Sequence, residues 1–210
     1  MTKQKKLFED WAESYDKFVL ENQHSFPFKG YSELIDEIIK TIEPNSTILD
    51  LGIGTGYVAL NLQDKLNCKI NGIDLSEKMV QIAKNRIRDS IIVPTDFNNY
   101  QSFDWTIFPS ETNYILGTYF FHHFTDDKKV EIIEFLFDKF GKGTKILIGD
   151  IGFLNSTLMT EKKEELKSEW DETEYYFDLS TFSKKLEIKS YAIKSKIISE
   201  YCVLMEIKHQ

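Results

Sequence analysis

The stretch Ile48-Leu49-Asp50-Leu51-Gly52-Ile53-Gly54-Thr55-Gly56 carries an apolar run into a glycine-spaced turn and on into a helical segment. Glycines there admit positive φ and let a ligand approach the backbone closely, at a helix start where amides lack partners. The spacing is not the G-x-G-x-x-G of a dinucleotide site, because Tyr57 stands where the third glycine would fall. Nor is it a P-loop, since the turn contains no Gly-Lys-Ser/Thr. Asp74 ends the next apolar run, and a carboxylate there can accept both hydroxyls of a ribose. Asp96-Phe97 closes a third run and serves either a ligand or a plain turn. His122 and His123 lie just past a fourth, at the edge where α/β sheets bind ligands, with ring packing as the alternative use. Adjacent residues on one element point apart, so at most one histidine is expected to face a pocket, and no metal site is expected. Tyr15 is either a hydroxyl over the site or a core aromatic. Asp150, expected to close the fifth run, either faces substrate or caps the segment after it. Trp170, Tyr175, Tyr176 and Phe177 form either a lid or packing on the sheet.

These residues need elements to hold them. Phe8, Trp11, Tyr15, Phe18 and Val19, then Leu34, Ile35, Ile38 and Ile39, recur at helical spacing through the first forty residues. After Pro44, apolar runs at Thr47–Ile53, Lys69–Leu75, Ser90–Thr95, Asn113–Phe120 and Lys145–Ile151 alternate with amphipathic stretches at Val58–Leu66, Glu77–Arg88 and Asp127–Phe140. Ser76 and Thr125 stand where helix caps belong. This alternation predicts a doubly wound, mostly parallel α/β sheet with right-handed crossovers. Leu186–Ile193 and Ile197–Ile207, separated only by Lys194–Lys196, predict an antiparallel hairpin at the sheet edge. The expectation is one domain over 1–210, with a helical cap segment (1–43) on a Rossmann-like core (44–210).

Composition narrows the class of function. The chain has 210 residues, 26 basic and 34 acidic, for a net charge of -8. That balance disfavours nucleic acid as a partner, because such binding rests on neutralised phosphates. Two cysteines, Cys68 and Cys202, in apolar runs read as buried thiols in a reducing compartment. No apolar stretch has the ~18 residues of a membrane helix, and the first residues do not read as a signal peptide. A soluble cytoplasmic protein is expected, with no membrane partner and an open oligomeric state.

The spacing D-x-G-x-G-x-G of Asp50, Gly52, Gly54 and Gly56 resembles that of the class I S-adenosylmethionine-dependent methyltransferases. Phe8-Glu9-Asp10-Trp11-Ala12 with Ser14-Tyr15-Asp16 resembles the opening helix of small bacterial members, and Gly117–Asp126 resembles their fourth-strand exit. Thr173–Tyr176 and Val203-Leu204-Met205-Glu206 are similar to segments of a subgroup associated with methionine-to-cysteine recycling. The chain departs from that pattern at Asn113, in the aromatic linker Asn98–Glu111 and in a short Asp150–Tyr175 stretch.

The resemblance implies a seven-stranded sheet in order 3-2-1-4-5-7-6, the last strand antiparallel, and S-adenosylmethionine as cofactor with S-adenosylhomocysteine as product. Asp50 would suit the cationic amino-acid moiety, Asp74 and Leu75 the ribose region, and Asp96 and Phe97 the adenine. Thr118 would lie at the fourth-strand exit and Tyr15 near the methionine end. Methyl transfer from a sulfonium is an in-line displacement, so alignment supplies the largest catalytic contribution. Tyr15, His122 and His123 are the catalytic candidates. A small-molecule acceptor is expected; a macromolecular acceptor such as tRNA or protein, and a non-catalytic binding module, remain as alternatives.

Overall fold

The computed structural model describes residues 3–210. The helical spacing near the N-terminus is realised as three helices: α1 (Lys3–Trp11), α2 (Tyr15–Glu21) and α3 (Tyr31–Thr41). A segment containing Pro27 and Gly30, both poor helix formers, separates α2 from α3. Strand and helix then alternate through β1 (Thr47–Leu51), α4 (Tyr57–Leu66), β2 (Lys69–Asp74), α5 (Glu77–Arg86), β3 (Ile92–Pro94), β4 (Tyr114–Thr118), α6 (Asp126–Phe140) and β5 (Lys145–Phe153). The expected caps are in place: Ser76 Oγ accepts from Met79 N, and Thr125 Oγ1 from Lys128 N.

After β5 come α7 (Ser156–Leu166), the two-residue β6 (Phe177–Asp178), α8 (Leu179–Ile188), β7 (Tyr191–Ile197) and β8 (Cys202–His209). The sheet runs β3-β2-β1-β4-β5-β8-β7, with β6 beside β5 off that path. With β6 set aside, this is the expected order, and β8 is antiparallel to both neighbours.

The C-terminal boundaries differ from expectation. Leu186–Ile188 is helical, because Asp178 caps α8 through Thr181 N while Leu179, Phe182 and Leu186 bury one face at helical spacing. The hairpin turns at 198–201, and Lys194 and Lys196 lie within the edge strand β7, where charge discourages further strand pairing. Asp150 lies inside β5 opposite Val203 and does not end the strand.

Helices cover both faces of the sheet. Leu49, Ile115, Ile146 and Ile148 pack toward α6 through Ile132, Ile133 and Leu136. Ile48, Leu116 and Leu147 point the other way, toward Leu34 and Ile38 of α3 and Leu62 of α4. The strands read as near-continuous apolar runs because both faces are buried. α3 therefore belongs to the layer covering the sheet, which leaves α1, α2 and the segment 22–28 as the cap. Among the described residues, no helix is long and apolar enough to cross a membrane.

Candidate active site

β1 pairs with β2 on one side and β4 on the other, so the chain reverses its winding direction at the carboxyl ends of β1 and β4. In open α/β sheets that reversal opens a crevice. Here it is a cleft bordered by the glycine turn, the ends of β2 and β4, and the cap. Gly54 has φ +55°, which costs an L-residue about 1–2 kcal/mol. A methyl group built on it would meet nothing nearer than Gly52 O at 4.0 Å, so the turn offers bare backbone to a ligand.

Gly52, Gly54, Asp74, Leu75, Asp96, Phe97, Thr118, Tyr15 and His123 all border this cleft; Asp50, Gly56 and His122 do not. Asp74 Oδ2 accepts Gly54 N at 2.8 Å and Oδ1 accepts Ser76 N at 2.8 Å. Each oxygen keeps lone-pair capacity for a further donor, as bidentate binding of ribose hydroxyls requires. Burial pushes the Asp74 carboxyl up to about 6, against the lowering effect of the Ser76 and Gly54 amides. If ribose hydroxyls bind the ionised form, affinity holds above that value and is lost below it. Calorimetry should therefore find S-adenosylhomocysteine affinity flat above about pH 7 and falling by up to ~10-fold per unit as the solution is acidified below about pH 6.

Asp96 both caps and borders. Its Oδ1 accepts Asn98 N at 3.0 Å and Asn98 Nδ2 at 2.9 Å, shaping the turn beside the cleft. Phe97 packs edge-on to Phe120, 5.1 Å between centroids, and gives the cleft an aromatic wall. Asp50 is fully buried in β1 near the turn. Its Oδ1 has no hydrogen-bond partner among the described residues, and burial, then the charge of Asp74, pushes its carboxyl well above the usual range. Asp50 does not line the cleft itself, but a cation bound at the adjoining glycine turn would favour its ionised form through space. The donors and acceptors present thus fit S-adenosylmethionine.

Asp16, quoted above only within the opening-helix stretch, and Arg86 tie the cap to this turn. Asp16 of α2 pairs with Arg86 Nη1 of α5 at 2.5 Å and accepts from Thr55 Oγ1, while Arg86 also donates to Thr55 O at 3.2 Å. On the neighbouring helix, Glu9 accepts Glu77 N at 2.7 Å at the start of α5. Asp16→Asn removes the charge from the Arg86 pair without changing side-chain size. The expected result is about 3- to 10-fold weaker S-adenosylhomocysteine binding with little change in melting temperature, read by calorimetry and thermal denaturation on one preparation.

A second, more open cavity adjoins the first, and the two share Phe8, Tyr15, Tyr119 and His123 as walls. Tyr15 therefore stands between the cavities. Burial and the acids Asp74, Asp16 and Asp150 raise its hydroxyl well above the ordinary range, so it is protonated at neutral pH. Tyr119, also not anticipated, has φ +50° just past β4 and donates its hydroxyl to Pro27 O at 3.2 Å.

Both histidines border the second cavity, contrary to the expectation that adjacent side chains would diverge. They lie in a 3₁₀ turn, Phe121–His123, where successive residues rotate by about 120° rather than pointing oppositely. Their ring centroids are 4.1 Å apart. Asp150 borders neither cavity and caps the turn after β4, not the segment after its own strand. Its Oδ2 accepts the amides of Phe120, Phe121 and His122, and its Oδ1 meets His122 Nδ1 at 2.6 Å. Burial alone would lower the His122 pKa, but Asp150 and Glu174 outweigh it and raise it; burial and then His122 push His123 down to about 3.

The aromatic group at 170–177 mostly packs. Tyr176 and Phe177 are buried, Trp170 stacks on Phe26 and Phe153, and only Tyr175 is substantially exposed. The polar Asp171, Thr173 and Glu174 reach the second cavity instead.

Known proteins share this arrangement of sheet and turn. The methyltransferase-domain family matches residues 48–138, from β1 into α6. That stretch is similar to a methyltransferase domain. Over nearly the whole chain, an uncharacterised methyltransferase of Anoxybacillus flavithermus is 28% identical, with 97% of each chain covered. One from a Geobacillus species is 27% identical with the same coverage. The complex of DhpI with SAM and HEP superimposes with a TM-score of 0.74 at 13% identity, over 98% of this chain and 95% of that one. Magnesium protoporphyrin IX methyltransferase from Synechocystis, holding SAH, gives 0.68 at 15% identity, over 98% and 100%. The fold shared with both structures is a Rossmann-like α/β sheet.

Proposed function

We propose that this protein transfers the methyl group of S-adenosylmethionine to a small-molecule acceptor held in the second cavity. The observation that carries this reading is the pair of adjoining cavities with Phe8, Tyr15, Tyr119 and His123 as common walls. A cofactor laid along the glycine turn, with ribose on Asp74 and adenine against Phe97, would direct its sulfonium toward those walls. The acceptor would meet the methyl carbon from the other side, in line with the departing sulfur. One bond forms from the nucleophile to carbon, the carbon–sulfur bond breaks, and its electron pair returns to sulfur as a neutral thioether.

The second cavity also bears on the kind of acceptor. Trp11, Phe18, Phe26 and Phe28 supply apolar faces, while Asp10, Asp171 and Glu174 supply acid, and Lys6 is paired with Asp10 at 2.8 Å. Such walls favour a neutral or cationic acceptor with an apolar body over a polyanion such as tRNA.

The test incubates the protein with methyl-labelled S-adenosylmethionine and a cell extract separated by size into small molecules, RNA and protein. Mass spectrometry should find label in the small-molecule fraction. Label confined to RNA or protein would overturn the acceptor class, and cofactor binding without transfer to any fraction would favour a non-catalytic module.

A further inference from the structure

We propose that His122, His123 and Glu174 form a binding site for a divalent transition-metal ion of the zinc type, on the wall between the two cavities. One ligand atom from each lies within 4.8 Å of the others. Glu174 Oε1 is 3.5 Å from His122 Nε2 and 4.0 Å from His123 Nδ1. Metal–ligand bonds of about 2.0–2.2 Å in a tetrahedral site set donors roughly 3.4 Å apart. Glu174 and His122 are therefore nearly in place, and no pair must close by more than about 1.4 Å, within the reach of side-chain rotation.

The surroundings prepare this geometry. His122 Nδ1 is committed to Asp150 Oδ1, so the ring presents Nε2; a carboxylate behind a ligating imidazole orients metal-bound histidines in just this way. Asp150 is itself held by the amides of Phe120, Phe121, His122 and Ile151. Glu174 is held from the other side, where the next residue donates its amide to His122 O at 2.7 Å and accepts Lys129 Nζ on its carbonyl at 2.5 Å. Two imidazoles and one carboxylate suit zinc, cobalt, iron or manganese better than magnesium or calcium, which prefer oxygen ligands throughout.

Three protein ligands leave a coordination position open, and all three residues border the second cavity. An acceptor hydroxyl or thiol filling that position would release its proton to water, because coordination lowers its pKa. The resulting anion could then attack the methyl carbon as described above. This step rests on the methyltransferase reading; the ion site itself does not.

Untagged full-length protein, stripped with chelator and dialysed, is titrated with Co²⁺ and then with Zn²⁺. The expected result is one equivalent of Co²⁺ with visible d–d bands of a low-coordinate site, displaced by Zn²⁺, together with a rise in melting temperature. Glu174→Gln and His123→Ala should each weaken Co²⁺ binding by more than ~100-fold. Absence of specific Co²⁺ binding by the wild-type chain overturns the proposal whatever the variants do. Wild-type affinity retained in both variants also overturns it, because the ion would then sit elsewhere, as at His24 or His209. S-adenosylhomocysteine affinity, measured on the metal-free chain, reports separately on the cofactor reading.

Discussion

Replacing Asp74 with alanine is expected to weaken S-adenosylhomocysteine binding by about 1.5–3 kcal/mol, or about 10- to 150-fold in dissociation constant. The carboxylate has two duties at once. It fixes the glycine turn through Gly54 N and the start of α5 through Ser76 N, and it turns its remaining lone pairs to the cleft. Alanine removes the ribose acceptors and leaves the Gly54 amide without its partner, so ligand and turn lose together. The fold should survive, since Asp74 sits at the end of β2 and α5 keeps its own cap at Ser76 Oγ, 3.1 Å from Met79 N. Asp74→Asn should fall between, because an amide accepts through only one of its two polar atoms. Calorimetric affinity unchanged in Asp74→Ala would remove this residue from the ribose role.

That the placement of Asp74 can be found without coordinates, while the partners of Asp16 and Glu174 cannot, comes from how each is positioned. Asp74, Gly52 and Gly54 are placed by the local run of strand, turn and helix, which periodicity and glycine spacing expose directly. Ser76 and Thr125 are legible for the same reason, since a cap is defined by its immediate neighbours. Asp16 meets Arg86 across 70 residues of sequence, and Glu174 meets His122 across 52, so no local pattern records either pairing. Leu186–Ile188 is a different kind of miss. Its signal is local, an aspartate cap at Asp178 before Leu179, Phe182 and Leu186, but a short apolar run reads equally as strand or buried helix. The histidine pair misleads for another reason: the divergence of neighbouring side chains along a strand does not hold in a 3₁₀ turn.

Tyr15 is where the cofactor site and the chemistry can be separated. Its side chain is a wall of both cavities, and its ring lies 6.1 Å from that of Trp11 in the cap. Tyr15→Phe keeps the ring and removes one hydroxyl, so packing is largely held constant. Adenosine is held on the far side of the cleft, by Asp74 and Phe97 on the proposed reading, and should bind within a few-fold of wild type. The methyl group would travel past the hydroxyl. Losing a donor that orients the sulfonium end or the acceptor should lower kcat/KM by ~10-fold or more, equivalent to about 1.4 kcal/mol of transition-state stabilisation. Burial and nearby acids keep the hydroxyl protonated, which makes Tyr15 a hydrogen-bond donor rather than a base near neutral pH. The pH profile of the wild type should therefore show no ionisation that Tyr15→Phe abolishes. A merely structural Tyr15 would shift melting temperature and leave kcat/KM unchanged; that outcome would move the search for the orienting group to His123 and Tyr119, the other polar side chains on the shared wall.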